Sequence, residues 1–274
     1  MKINFIKNFL SELDLYRKWR KYATKIEPLL TKELAKEQQE YQLKILYHKF
    51  YELSNKFLSK SRFHLDWNDR HLCVEDQTTQ SPFDRHYIYH PAWAARVLTK
   101  VKPKKHVDFS STLIWSAIIS AFFPVDFYDY RYAPIVLEGL KSGFQNLTQL
   151  TFESNSLESV SCMHVLEHIG LGRYGDPIDP EGDLKAISEL IRVTKIGGHI
   201  LIVVPVGKAK LMFNAHRIYD YSDFCKLFSQ NAVLVEFALV PDGEASDGLI
   251  YNPVSSIIDQ QEYGCGCFWF QKVS

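Results

Sequence analysis

The stretch that most constrains the fold of this chain is Ser161–Pro180, which reads SCMHVLEHIGLGRYGDPIDP. It begins inside an apolar, β-prone run, residues 157–163, and passes directly into a polar cluster that includes His164 and His168. Glycines and prolines follow, then a helical pattern and a second apolar run, residues 198–204. Open α/β sheets bind ligands where a buried strand ends in such a polar loop. We therefore expect the rest of the chain to be arranged around this strand–loop–helix–strand unit.

Apolar runs of strand length alternate with helical patterns through residues 81–274, which we predict to be the main domain. Such alternation is typical of a parallel, doubly wound sheet. The last two strands are joined by a long segment and are expected to be an antiparallel addition. The sequence thus predicts an α/β fold with a doubly wound, mostly parallel, seven-stranded sheet. The predicted strands are His106–Phe109, Val125–Asp129, Gly139–Phe144, Glu158–Met163, Gly198–Val204, Ala232–Leu239 and Cys267–Val273.

Residues 1–80 are predicted to be a helical N-terminal extension, because apolar residues recur there at helical spacing. One interpretation is that these helices pack on the main domain or on a second subunit, forming a homo-oligomer. Another is peripheral membrane contact, since a basic and aromatic helix can lie on an anionic membrane surface. The basic residues are Arg17, Lys18, Arg20, Lys21 and Lys25, and the interleaved aromatic residues are Phe5, Phe9, Tyr16, Trp19 and Tyr22.

The composition argues against several functional classes. The formal net charge is zero, which provides no general attraction to nucleic acid. No apolar run approaches the roughly 20 residues needed to cross a bilayer, and Lys7 and Asn8 interrupt the short apolar stretch that a signal peptide would need. The five cysteines are scattered and do not form a disulfide framework. A reducing, cytoplasmic location is expected.

The histidines and cysteines do not predict a metal site. Four histidines lie between residues 61 and 90, but we identify no tightly spaced ligand pair with a third partner nearby. Cys265 and Cys267 alternate along a predicted strand and so share one face, which we interpret as core packing. The four histidines are His64, His71, His86 and His90.

The segment Asp84–His90 precedes a predicted helix, Pro91–Lys100, whose first-turn proline is a normal start signal. It is polar, aromatic and rich in histidine. Two interpretations stay open: a lid or substrate wall over a site, or structural packing of the aromatic rings.

Two longer segments carry a resemblance to a known family. The segments LTFESNSLESVSCMHVLEHI and LKAISELIRVTKIGGHILIVVP are similar to the class I S-adenosylmethionine-dependent methyltransferases. The segments HIGLGRYGDPIDPEGD and FNAHRIY look more specifically like a bacterial methyltransferase-like family of uncharacterised function, often thought to act in surface-glycan synthesis. The resemblance covers the chain from about Asp84 to its end. It implies the fold more strongly than the activity.

The resemblance implies a cofactor site at the ends of the first strands. In the family, the turn after strand one is rich in glycine because the backbone passes close to the cofactor. Here that turn contains Asp108, Ser110 and Ser111 and no glycine, although its hydroxyls could bind a carboxylate at the following helix N-terminus. Asp129 matches the acid that accepts hydrogen bonds from the ribose diol, or else caps a helix or loop.

The other implied cofactor contacts come from the neighbouring strands. Asn146 stands where the family usually has an aspartate near the adenine amine, and its amide oxygen is a weaker acceptor than a carboxylate. His164, first after strand four, would lie beside the adenosine or the transferred methyl group. S-adenosylmethionine is therefore the expected cofactor.

Methyl transfer to a hydroxyl would also require a base, and a positioned histidine typically contributes about 10²–10⁴ in rate. The alternative for His168 is a helix-end or core histidine, and for Glu167 a buried structural hydrogen bond. Arg217 is suited to bidentate contact with phosphate or carboxylate. The candidate bases are His164, His168, Asp176 and His216, and the candidate substrate-binding residues are Arg173, Tyr174, Asp179, Asn214 and Arg217.

Three functional hypotheses follow. The leading one is an S-adenosylmethionine-dependent methyltransferase acting on a small-molecule or surface-glycan-related acceptor, with the glycan part supported by the resemblance alone. The second keeps the fold without the cofactor and assigns the histidine, aspartate and arginine loops to acid–base chemistry on a sugar or nucleotide-sugar. The third is a non-catalytic scaffold whose N-terminal helices recruit a partner. The glycine-free turn favours the second and third.

Overall fold

The computed structural model describes residues 32, 35–55, 63–71, 73, 76, 78–243 and 248–274. The chain divides into two compact units, Met1–Pro82 and Phe83–Ser274. Within the described residues, none of the helices has the length and apolar character that a membrane span requires.

The N-terminal unit contains one long described helix, α1, over residues 35–55. Trp67 packs edge-on against the rings of Tyr47 and Phe50, at centroid distances of 4.9 and 5.2 Å. A side-chain oxygen of Asp66 accepts a hydrogen bond from the backbone N–H of Asn68 and caps the short 3₁₀ turn there. The basic and aromatic residues predicted to contact a membrane or a second subunit lie outside the described residues, so both interpretations stay predictions.

The C-terminal unit alternates strands and helices as predicted. In chain order its elements are α2 (Arg85–Val101), β1 (His106–Phe109), α3 (Leu113–Ile119), β2 (Val125–Asp129), β3 (Leu140–Phe144), β4 (Leu157–Met163), α4 (Gly182–Val193), β5 (Thr194–Val206), β6 (Lys210–Met212), β7 (His216–Ile218), α5 (Tyr221–Lys226), β8 (Ala232–Val240), β9 (Ile250–Tyr251), α6 (Ser255–Ile258) and β10 (Gly264–Lys272).

The main sheet has the strand order β3-β2-β1-β4-β5-β10-β8-β9. Strands β1 to β5 pair in parallel, whereas β10 is antiparallel to both of its neighbours, β5 and β8. The predicted doubly wound, mostly parallel sheet is confirmed, including its antiparallel addition. The two-residue strand β9 extends the seven predicted strands to eight, and β6 and β7 form a separate hairpin.

The central strands are buried on both faces of the sheet. Along β5, Ile200 and Ile202 pack into one apolar cluster, whereas Leu201 and Val203 pack into the other. Successive side chains of a strand point to opposite faces, so a strand covered on both sides reads as a continuous apolar run. Each fully buried side chain of this size contributes roughly 1.5–3 kcal/mol, and these two layers hold the strand ends in place.

Helix α2 begins earlier than the sequence suggests. The expected start was Pro91, but the helix begins at Arg85, because the side chain of Asp84 accepts a hydrogen bond from the backbone N–H of Tyr87 and caps the helix. Pro91 then lies inside the helix, where it removes one backbone donor. The segment Asp84–His90 is thus helical after its cap, which brings His86 and His90 onto one helix face.

Candidate functional site

A cavity opens at the carboxyl ends of β1, β2 and β4. Ser110 follows β1, Asp129 ends β2 and His164 follows β4, and all three line this cavity. It therefore occupies the sheet edge at which open α/β folds bind ligands. The remaining lining residues are Tyr130, Arg131, Gln145, Asn146, Leu147, Thr148, Val165, His168, Ile169, Gly170, Tyr174, Asp176, Pro177, Asp179 and Gly182.

The turn after β1 adopts a glycine-like conformation without a glycine. Ser110 has φ 58°, in the left-handed region, and its backbone N–H donates to the Tyr128 carbonyl at 2.8 Å. Its hydroxyl donates to the same carbonyl at 3.3 Å. A side chain in this conformation costs roughly 1–2 kcal/mol. The close backbone turn that the cofactor would need is present, with a Cβ added to it.

Asp108 and Ser111, which the resemblance assigns to the cofactor, are buried, and their side chains make hydrogen bonds within the domain interior. The Asp108 carboxylate accepts hydrogen bonds from the hydroxyls of Ser116, at 2.8 Å, and Ser161. The Ser111 hydroxyl accepts from the backbone N–H of Met163 at 3.0 Å. Burial raises the pKa of Asp108 to about 6, against the opposing effect of these serine hydrogen bonds. Neither residue lines the cavity, so their predicted contact with the cofactor is corrected.

Asp129 keeps a carboxylate at the cavity wall. Its Oδ1 accepts a hydrogen bond from the backbone N–H of Arg131 at 2.6 Å, which fixes the side chain at the end of β2. A carboxylate has about four acceptor positions, so this bond leaves capacity for a ligand diol. The Arg131 guanidinium lies over the Tyr174 ring, 4.3 Å from its centroid, and connects this wall to the loop after β4.

Asn146 lines the cavity, but its amide oxygen, the predicted acceptor for the adenine amine, already has partners within the protein. That oxygen accepts hydrogen bonds from the backbone N–H of Thr148, at 3.0 Å, and from its hydroxyl, at 2.9 Å. An amide oxygen has two lone pairs, and both are in use here. Asn146 can therefore offer a ligand its N–H₂ donors only.

The acids of the loop after β4 bind the loop's own backbone. Asp176 accepts hydrogen bonds from the backbone N–H of Gly170, at 2.8 Å, and of Tyr174, at 3.2 Å. Asp179 accepts from the backbone N–H of Glu181 and pairs with Lys185 at 2.6 Å, which lowers the pKa of the Asp179 carboxyl. Both residues line the cavity, but their carboxylates hold the loop in shape.

Arg217 also has a structural position. Its guanidinium donates to the Ile169 carbonyl at 2.7 Å and lies 3.6 Å from the Asp183 carboxylate. Arg173 donates to the Ala215 carbonyl at 3.0 Å. These bonds join the β6–β7 hairpin to the loop after β4. Arg217, Arg173, Asn214 and His216 do not line the cavity in the described part of the chain, so their predicted ligand contacts are not found in this arrangement.

His168 is the cavity histidine best suited to act as a base. Its Nδ1–H donates to the Ala215 carbonyl at 2.7 Å, which fixes the tautomer and leaves Nε2 as an acceptor. Burial lowers the pKa of His168, while Glu167 acts in the opposite direction. The ring is therefore neutral at pH 7. Of the other proposed bases, His216 lies 6.3 Å away, centroid to centroid, outside the cavity lining.

His164 connects the cavity to a cluster, with His86 and Cys265, that the local sequence pattern does not predict. Its backbone has φ 56°, its Nδ1 donates to Glu167 at 2.9 Å, and its Nε2 lies 3.5 Å from the Cys265 Sγ. The His86 ring stacks on it at 5.4 Å. Burial lowers the pKa of His164, but its interactions with Cys265 and Glu167 outweigh burial and raise it to about 10.

Two features of the sequence could have predicted that His86, His90 and Arg131 lie near the site. His86 and His90 are four residues apart, which is the spacing of one helix face once the segment is known to be helical. Arg131 directly follows the acid that ends β2, where an Asx turn brings it back to the cavity. Cys265 reaches the cluster because β10 pairs with β5, and this pairing cannot be predicted from the local sequence.

Comparison with known proteins gives one partial family match. Residues 131–240, or 110 of the 274, match the family described as "Caenorhabditis protein of unknown function, DUF268". No curated protein matches. The matched part spans β3 to β8 and includes the loop after β4.

Many solved structures are similar at low identity. One is the 1,6-didemethyltoxoflavin-N1-methyltransferase of Burkholderia thailandensis, with 11% identity, TM-score 0.49 and coverage of 68% of this chain and 79% of that one. Another is a SAM-dependent methyltransferase of Methanosarcina mazei, with 11% identity, TM-score 0.44 and coverage of 65% and 98%. The YcgJ protein of Bacillus subtilis gives 12% identity, TM-score 0.46 and coverage of 68% and 99%. At these identities the likeness concerns the fold, and it carries no argument about activity.

Proposed function

We propose that this chain is an S-adenosylmethionine-dependent methyltransferase that binds its cofactor in the cavity at the ends of β1, β2 and β4. The observation that carries the proposal is that Ser110, in its left-handed turn, and Asp129, at the end of β2, line the same cavity. A tight turn after one strand, with an acid at the end of the neighbouring strand, is the arrangement that binds a ribose and its neighbouring groups in open α/β folds.

The cavity residues divide between cofactor and acceptor. Asp129 accepts hydrogen bonds from the ribose diol, and Asn146 donates from its N–H₂ group to the base, since its oxygen is already used. When bound, S-adenosylmethionine supplies an electrophilic methyl group on a sulfonium. The protein's part is then to align the acceptor, which can be worth about 7–11 kcal/mol, and His168 takes the acceptor proton on Nε2.

The acceptor in this proposal is a small molecule or a surface-glycan-related compound. Tyr174 and Arg131 present a phenol and a guanidinium at the cavity wall, which suits a polar acceptor rich in hydroxyl groups. The glycan class is supported by the resemblance of the loop after β4, not by a contact.

Titration calorimetry with S-adenosylmethionine tests the proposal directly. Asp129→Ala should weaken binding roughly 10–100-fold, because a charged acceptor of two hydrogen bonds is removed. Asp223→Ala is the matched control, since it removes an exposed carboxylate on α5 that pairs with Lys226. Equal affinity for Asp129→Ala and the control would show that the ribose assignment is wrong. Absence of heat at millimolar cofactor would instead favour sugar chemistry or a scaffold role.

A further inference from the structure

We propose that His86, His164 and Cys265 form a binding site for a zinc ion beside the cavity. Their candidate ligand atoms all lie within 4.8 Å of one another. Two imidazoles and a thiolate are ligands that zinc prefers. This inference does not depend on the proposed methyltransferase activity, because it concerns a different set of groups.

One of the three separations, between His164 and Cys265, matches that of two ligands on one metal ion. The His164 Nε2 and the Cys265 Sγ are 3.5 Å apart. Zn–S bonds of about 2.3 Å and Zn–N bonds of about 2.0 Å in a tetrahedral site place sulfur and nitrogen about 3.5 Å from each other. A hydrogen bond to sulfur has a similar length, so the zinc titration below is what separates a shared ion from a hydrogen bond.

Glu167 supplies the second observation that points to a cation. Its Oε1 accepts a hydrogen bond from the His164 Nδ1 at 2.9 Å, which leaves Nε2 as the ligand atom. Metal-binding histidines usually donate their other ring N–H to a carboxylate or carbonyl in this way. Glu167 is 1% exposed, and its Oε2 has no hydrogen-bond partner among the described residues. On binding, a zinc ion would replace the proton on the His164 Nε2, and its charge would lie beside this buried carboxylate.

The fold brings the three side chains together from distant parts of the chain. His86 lies in the first turn of α2, which Asp84 caps, and Cys265 lies on β10, next to β5 in the sheet. His164 is held with φ 56°, which is unusual for a residue other than glycine. Strained backbone of this kind persists where the surroundings fix it, and it clusters at functional sites.

His90 lies one helical turn after His86 and also contacts His164. Its Nδ1–H donates to the His86 carbonyl at 2.7 Å, and its fully buried Nε2 has no hydrogen-bond partner in the described ranges. Its ring meets that of His164 edge-on at 5.1 Å. Three protein ligands leave a fourth position on a tetrahedral ion, as in catalytic zinc sites. Since His164 also lines the cavity, the proposed ion would lie beside it.

The test uses the full chain, stripped with a chelator and titrated first with Zn²⁺ against a chromophoric competitor, then with Co²⁺. We expect one equivalent of Zn²⁺, and a thiolate-to-cobalt charge-transfer band with Co²⁺. Cys265→Ser should abolish that band and weaken zinc binding more than about 100-fold, while Glu167→Gln should weaken it roughly 10–100-fold.

Cys225→Ser and His71→Ala are the controls, because they remove a half-buried thiol and an exposed imidazole elsewhere. Both should bind zinc as the parent chain does. If Cys265→Ser does not fold, His86→Ala at the half-exposed start of α2 decides the question, and should weaken zinc binding more than about tenfold. Substoichiometric zinc in the parent chain, or an unchanged cobalt band in Cys265→Ser, would overturn the proposal.

Discussion

The two polar regions that face the cavity are built in opposite ways. In the loop after β4, the carboxylates of Asp176 and Asp179 and the guanidinium of Arg217 are all bound to groups of the protein itself. At the strand ends, the Asp129 carboxylate contacts only its own turn among the described residues: its Oδ1 accepts from the Arg131 backbone N–H and lies 3.9 Å from the Arg131 Nε, so it faces the cavity with acceptor capacity left. A loop dense in polar residues is therefore a poor guide to ligand contacts, because such residues are also what hold an irregular backbone together.

The largest effect should come from disturbing the loop. Gly170 has φ 80°, and an added Cβ would lie 2.0 Å from the Asp179 carbonyl oxygen. Gly170→Ala should lower the free energy of unfolding by roughly 4 kcal/mol, from backbone strain plus overlap. Gly175→Ala is the matched control, with φ 82° and nothing within 4 Å, and should cost about 1–2 kcal/mol. Equal losses in urea unfolding would mean that the loop is not tightly packed.

The buried carboxyl of Asp108 should make the stability of the fold depend on pH. Burial raises the pKa of Asp108 to about 6, above the 3.8 of an ordinary aspartate. The folded state therefore binds the proton more tightly, so the contribution of Asp108 to stability rises as the pH falls through 6 and is complete below about 3.8. Relative to Asp108→Asn, the parent chain should gain roughly 3 kcal/mol between pH 7.5 and pH 4. A stability difference that stays constant with pH would place this carboxylate in a solvated environment.

A substitution of Arg217 tests whether this residue stabilises the fold or binds a ligand. Arg217→Met should lower the free energy of unfolding by about 2 kcal/mol, because the Ile169 carbonyl and the Asp183 carboxylate lose a partly buried partner. Binding of S-adenosylmethionine should change only slightly. Unchanged stability together with a large loss of ligand affinity would reverse the assignment made from this structure.

The smallest effect should come from the turn after β1. Ser110→Gly relieves the left-handed backbone, and the flexibility of glycine in the unfolded chain offsets part of this gain, so stability should rise by less than about 1 kcal/mol. Cofactor affinity should increase as well, since a Cβ leaves the cavity. Lys102→Gly relieves the same conformation (φ 49°) at the end of α2, and should change stability without changing affinity. Reduced affinity in Ser110→Gly would show that the hydroxyl itself binds the ligand.

The local pattern was sufficient for the sheet and for the acid at the end of β2. Strands that are buried on both faces must be apolar throughout, so β1, β4 and β5 are visible in the sequence. Their order in the sheet is known only from the structure. Asp129 and Ser110 could be placed at the ligand edge because a residue that follows a parallel strand can lie nowhere else. The extent of α2 could not be judged as well, because Pro91 signals a helix start and the stronger capping by Asp84 lies further upstream.

What the sequence by itself determined is which residues stand at the carboxyl edge of the sheet, since that depends only on strand period and chain order. What only the tertiary structure decided is which of their polar groups are already used. Asn146 and Asp176 are bound to nearby backbone groups, whereas Arg217 is bound to segments distant in the chain. The tertiary structure also brought Cys265 on β10 to His164 after β4, 101 residues away. Hydrogen bonds and ligand sets of this kind depend on distances in space, and local periodicity carries no information about these.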